Sequence, residues 1–191
     1  MNGKERILKA LDLREPDCVP LYIHGINEAP IIGIGKYLTD GLPEVRDFRL
    51  MNDRDKHKLV ETLFMIHEHF DIDGITSFEI GHEEKVDELH VKDRFGVVYK
   101  LSEHGIPVPV GHPVKDLAEL RNFSPPVPRR EELGLLELAV KQFRGRKASF
   151  WLMRGVFVRS WRLIGMTNYM THLYAHPEFI HALARMMMEF N

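Results

Sequence analysis

Apolar positions in this chain keep two rhythms that alternate along its length. Three short continuous runs read as buried strands: residues 19–23, residues 74–78 and residues 150–153. Each run ends on a polar group, at His24, Glu79 and Arg154 respectively. Parallel strands covered on both faces have this pattern and bring such groups to one rim of an α/β fold. Pro20 marks the first residues of its strand, because proline cannot donate to a central ladder.

Between the runs the period lengthens to that of helices. Asn2 caps a helix with Ile7, Ala10 and Leu11 on one face, ending before Pro16. Residues 26–38, with Pro30, Gly33 and Gly35, read as a loop and a short helix. Asn52 or Asp53 starts a helix to about Phe70 with the stripe Leu59, Leu63, Ile66 and Phe70. Another helix is expected from about Arg130 to Phe143, carrying Leu133, Leu136, Val140 and Phe143 and closed by Gly145. Short helices over 157–164 and 168–174 are broken near Gly165, and Pro177 opens a last one striped with Phe179, Leu183, Met186 and Phe190. Residues 86–110 depart from this alternation and read as an inserted β-hairpin turning at Gly96, with Pro107 and Pro109 leading out.

Strands alternating with helices predict a parallel sheet with crossover helices. Only three such strands are visible, whereas a (β/α)₈ barrel takes about 250 residues. The 191-residue chain is therefore either a small α/β domain or the first part of a barrel.

Composition narrows the chemistry. A net charge of -2 gives no electrostatic footprint for nucleic acid or an anionic membrane. The single cysteine, Cys18, precludes an internal disulfide framework. It lies at the start of a strand, so it is read as structural. The charged N-terminus is no signal core, and no apolar run nears the roughly 20 residues of a membrane span, so a cytoplasmic protein is expected. Gly33-x-Gly35 lacks the third glycine and the strand-turn-helix setting of a phosphate loop.

Several stretches, taken in order, resemble the uroporphyrinogen decarboxylase superfamily. Lys4 to Leu11 followed by Glu15-Pro16-Asp17-Cys18-Val19-Pro20 is similar to its opening helix and EPDRVP segment, with Cys18 in place of the arginine. Asp93-Arg94-Phe95-Gly96 resembles its D-x-(W/F)-G hairpin, and His112-Pro113-Val114-Lys115-Asp116-Leu117 through Pro125-Pro126 its connector. Gly155-Val156-Phe157, Arg162-Leu163-Ile164-Gly165 and His176-Pro177-Glu178 resemble the family's G-x-F, L-R-G and D-P-E elements. The resemblance implies a TIM barrel of which residues 1–191 form a single domain, about the N-terminal half.

Two branches follow from that likeness. Decarboxylases remove acetate carboxyls from a porphyrinogen without a cofactor, using arginines after strand one and an aspartate after strand two. The methyltransferase branch moves methyl groups from or to corrinoid proteins and uses zinc. Here the segment after the first run is His24-Gly25-Ile26-Asn27-Glu28, without an arginine to pair carboxylates, and the acid after the second is Glu79. These departures favour a corrinoid-dependent methyltransferase-like enzyme, with a true uroporphyrinogen decarboxylase as the alternative. A third reading is a catalytically silent binding or assembly module. Zinc and a corrinoid are expected only with the complete barrel, whose His-x-Cys and later Cys ligands would lie in the other half.

The expected site is built on Glu79 and His24 as catalytic groups, with Arg154, Arg159, Asn27 and His82 contacting substrate and no metal ligand in this chain. Glu79 suits a polar cleft, since a buried carboxylate needs a partner; a surface loop is the bland alternative. His24 is a base, donor or ligand, or else a ring satisfied by a loop carbonyl. Arg154 and Arg159 hold an anionic group or a corrinoid-protein surface, or form salt bridges at a helix end. His67 and His69 face different ways on a helix and share no metal. His172 and His176 have four-residue spacing, but Pro177 places His176 outside the preceding helix, so the pair is read as structural. His82-Glu83-Glu84, after the second run, either touches a metal or substrate or is a solvated loop, and Met186 to Met188 read as packing. A small molecule or a corrinoid protein is the expected substrate; a second copy or a complementing C-terminal half is the expected partner.

Overall fold

The computed structural model describes residues 1–79, 83–101 and 107–191. The first part of the chain runs α1 (Gly3–Leu11), α2 (Glu28–Gly35), α3 (Asp53–His69) and β1 (Gly74–Phe78). Next come β2 (Glu84–Lys85), β3 (His90–Lys92), β4 (Val98–Lys100), β5 (Val108–Gly111) and α4 (Leu117–Asn122). The rest is α5 (Gly134–Phe143), β6 (Ala148–Leu152), α6 (Val156–Ile164), α7 (Met166–Ala175) and α8 (Pro177–Phe190). The fold is mixed α/β, with a parallel pair β1–β6 and a four-stranded antiparallel sheet in the order β2-β3-β4-β5. It groups into two compact units: Met1–Ile80 with Arg130–Leu152, and Gly81–Arg129 with Met153–Asn191. No described helix is long and apolar enough to cross a membrane.

In the first unit β1 and β6 pair from Gly74 opposite Ala148 to Phe78 opposite Leu152. The strand expected at 19–23 is reduced to one parallel bridge, Tyr22 to Gly74. Pro20 offers no N–H, and the Leu21 N–H is taken by a side chain, donating to Asp73 Oδ2 at 2.7 Å. The Asp73 N–H in turn donates to the Leu21 carbonyl at 2.9 Å. Buried Asp73 also accepts from Arg6 Nη1 at 3.0 Å, and Arg6 Nε reaches Asp17 at 2.8 Å. These bonds tie α1, the 17–22 segment and β1 together where a ladder would otherwise run. A side chain at Gly3 is impossible there, since its Cβ would lie 2.7 Å from Asp73 Cα.

Strand alternation gives the parallel pair two faces. On one, Ile75 packs with Phe64 of α3 and Leu135, Ala139 and Phe143 of α5. That stripe shares Phe143 with the expected one but takes Leu135 and Ala139 in place of Leu136 and Val140, and Val140 is exposed. The expected first turn, Arg130–Leu133, is a 3₁₀ helix, so Leu133 falls outside α5. The other face carries Tyr22, Thr76, Phe78, Phe150 and Leu152, with the Tyr22 and Phe150 rings 4.5 Å apart. It is the open face: Tyr22 is 39% exposed, Phe78 45% and Leu152 38%.

In the second unit the expected hairpin is part of a larger sheet, and Pro109 lies within β5 rather than leading out of it. Because β5 is an edge strand, its missing N–H costs no ladder bond. Asp93 ties the β3–β4 turn: Oδ1 accepts from the Phe95 and Val97 N–H groups at 2.9 and 3.0 Å, and Oδ2 from the Tyr99 hydroxyl at 2.9 Å. Val91, Val97, Tyr99, Leu120, Leu163 and Leu183 belong to the core of this unit. Asp116 caps α4 by accepting from the Glu119 N–H at 2.8 Å. Gly165, at φ +87°, breaks α6 from α7; a Cβ there would stand 3.1 Å from the His112 ring. His112 Nδ1 donates to the Arg162 carbonyl at 2.7 Å, which fixes the connector against that break.

Candidate functional site

Glu79 follows directly on β1, half-buried at the carboxyl end of the parallel pair. In mid-strand, on the open face, Tyr22 Oη and Thr76 Oγ1 share a hydrogen bond of 2.6 Å. Ser77 is wholly buried on the covered face with Ile75, and its hydroxyl has no hydrogen-bond partner among the described residues. The carboxyl end therefore offers one carboxylate, and the open apolar face carries a paired phenol and threonine hydroxyl. Such a set binds and orients a substrate with N–H or O–H groups and an apolar body.

His24 lies exposed on the same side of the unit. It follows the isolated Tyr22–Gly74 bridge by two residues, at a bend beyond that single pairing. Asn27 is the exposed N-cap of α2, and its side chain makes no capping hydrogen bond. His82 lies outside the described residues.

The two arginines belong to the second unit and meet there around one small cavity. Arg154, Arg159 and Arg162 line it with Asp93, Phe95, Val97, Tyr99 and Leu163, and its volume of about 10 Å³ holds a single water. Arg159 is buried, its guanidinium 5.0 Å from the Phe95 ring centre and 4.7 Å from that of Phe190, and Nε donates to Asn191 Oδ1 at 2.9 Å. Those contacts give Arg159 a packing role, because cation–π sandwiches of this kind hold a guanidinium in place. Half-buried Arg154 shares the cavity wall.

Sequence reasoning missed Arg162 and Tyr99. Arg162 Nη1 donates to the Tyr99 hydroxyl at 3.4 Å, while its buried Nε has no hydrogen-bond partner among the described residues. Burial, and secondarily the charge of Arg154, lowers the pKa of Arg162. Burial pushes the Tyr99 phenol up to about 12, with Asp93 adding to the rise. The available signal was the three-residue spacing of Arg159 and Arg162, which puts both on one helix face.

The zinc implied by the family resemblance finds no ligand set in these residues. Cys18 is exposed, and among the described residues no group of three His, Cys, Asp or Glu side chains gathers to hold a metal ion. No chemical step is therefore assigned to a metal here.

No family profile matches the sequence, and no curated protein matches it. Among solved structures, a methyltransferase from Methanosarcina mazei is similar in fold, with a TM-score of 0.66 at 14% sequence identity. The similarity covers 99% of this chain and 53% of that one, so the chain spans about half the length of the methyltransferase whose fold it shares.

Proposed function

We propose that residues 1–191 form one folding domain, the N-terminal half of a (β/α)₈ barrel of the uroporphyrinogen decarboxylase superfamily, in its corrinoid-dependent methyltransferase-like branch. The fold shared with half of a methyltransferase carries this reading. The open face supports it independently. Tyr22, Phe78, Phe150 and Leu152 project on the side opposite α5, where a closed barrel keeps its interior layers. Successive parallel ribbons in the order Tyr22 bridge, β1, β6 match the start of such a barrel.

In this reading a complementing C-terminal half closes the barrel and brings the zinc ligands, and the assembled enzyme works in the cytoplasm. Glu79 holds a substrate N–H or O–H at the rim, and Asn27 and His24 flank the mouth. Arg154 serves as an anion contact. The methyltransferase branch is favoured over the decarboxylase because the segment after Tyr22 carries His24 and Asn27 but no arginine for substrate carboxylates.

Equilibrium binding of a methylated corrinoid and of a porphyrinogen, to the chain alone and with a C-terminal half supplied in trans, tests the proposal. Corrinoid binding that needs both halves and falls at least tenfold in Glu79→Ala is expected. Porphyrinogen binding in its place selects the decarboxylase. A compact monomer by light scattering that takes up no hydrophobic dye would remove the argument from the open face.

A further inference from the structure

The turn joining α7 to α8 brings two imidazoles together. The His176 N–H donates to the His172 carbonyl at 3.0 Å and closes the last turn of α7. As expected from Pro177, His176 itself lies outside that helix, at φ -143° and ψ 63° between α7 and α8. The two rings nonetheless come together, with centres 5.1 Å apart and tilted by 59°.

That separation is the one a shared metal ion requires. Metal–nitrogen bonds of about 2.0–2.1 Å, plus roughly 1.2 Å from nitrogen to ring centre, put two imidazoles at a tetrahedral angle about 5 Å apart. Two further observations point to a ligand. His172 Nδ1 is fully buried and has no hydrogen-bond partner among the described residues, a costly state for a ring nitrogen. Behind the other ring, Glu178 Oε1 stands 3.5 Å from His176 Nδ1. A carboxylate in that place orients a ligating histidine and raises its basicity. The Phe179 ring packs edge-on against His172, 5.3 Å between centres, and restricts its rotation.

We propose that His172 and His176 form a chelate for a borderline divalent cation, of the class of Cu²⁺, Zn²⁺ and Ni²⁺, with Glu178 as the positioning residue and water in the remaining coordination sites. The ion clips the end of α7 to the start of α8 and gives His172 the partner it lacks. It is separate from the zinc of the barrel reading and does not depend on that reading. Hard cations such as Mg²⁺ are not held, because two imidazoles suit the softer metals.

The test uses the untagged full chain, titrated with Zn²⁺ by calorimetry and with Cu²⁺ by electron paramagnetic resonance. Saturable binding of one ion per chain is expected, with nitrogen couplings in the Cu²⁺ spectrum and a rise in Tm. Glu178→Gln should weaken Zn²⁺ binding by about tenfold, within the 10–100-fold range for losing a carboxylate behind a ligand. His176→Gln should weaken it further, and His181→Gln, exposed on the same helix, should leave it unchanged. Should His172→Gln fail to fold for want of the Phe179 contact, His176→Gln carries the test, since His176 is exposed. Absence of saturable binding, or binding that survives His176→Gln undiminished, overturns the proposal.

Discussion

Replacing Tyr99 with phenylalanine should change how stability depends on alkaline pH. Tyr99 is 6% exposed, and its hydroxyl donates to Asp93 Oδ2 at 2.9 Å. Burial, reinforced by the Asp93 charge, moves the phenol from 10.0 to about 12. Between those values the folded chain keeps a proton that the unfolded chain has released. Stability from this group is therefore full below pH 10 and is lost as pH rises through about 12. Two pH units at about 1.4 kcal/mol each make the whole effect about 2–3 kcal/mol. Near neutrality the phenylalanine variant should be about 1 kcal/mol less stable, the usual net loss for one hydrogen bond. Urea unfolding of both proteins from about pH 8 to about pH 11 checks this: the two stability curves should converge and then cross as the wild type loses its advantage. Parallel curves across that range would refute the reasoning, because they would mean that Tyr99 titrates alike in the folded and unfolded chains.

Other perturbations have equally definite outcomes. Leu183 is wholly buried in the core of the second unit, so Leu183→Ala should cost about 2–5 kcal/mol in urea unfolding. Gly165→Ala places a Cβ 3.1 Å from the His112 ring at a backbone φ of +87°, and should cost about 1–3 kcal/mol by the same measurement. Burial lowers the pKa of His67 from its usual 6.5, more than its bond to the Leu63 carbonyl raises it. Its contribution to stability is present above pH 6.5 and is lost as pH falls through the folded value, so His67→Gln should flatten the acid side of the stability profile.

Helix positions were legible in the sequence because caps and stripes are local. Asn2 caps α1 with a full capping box, Asn52 caps α3, and Pro177 opens α8 as expected. What failed was set by non-local bonds. Nothing in the 19–23 run announces that Asp73, 52 residues from Leu21, will take a ladder donor and leave Val19 exposed. Likewise Arg159 reads as a rim cation until Phe95 and Phe190 are seen to close on it. Glu79 was legible because a strand end is a local feature. The bend at His24 was not, because strand pairing in that run stops at the Tyr22–Gly74 bridge.

This contrast separates what the recognisable motifs do from what the rim residues do. Asp17 holds Arg6, Asp93 ties a turn and the Tyr99 hydroxyl, His112 braces the α6–α7 break, and Asp116 caps α4. The residues of the recognisable motifs are thus engaged in holding the backbone. In the proposed reading the chemistry falls instead to rim residues such as Glu79. The two classes should part under mutation. Asp93→Ala orphans two backbone N–H groups and a buried phenol, and should cost about 2–4 kcal/mol in urea unfolding. Glu79→Gln keeps the shape of its side chain and should cost less than about 1 kcal/mol, while ligand binding falls. If Glu79→Gln instead proved the more destabilising of the two and left binding of both the corrinoid and the porphyrinogen intact, Glu79 would join the bracing residues and the rim would lose its acid.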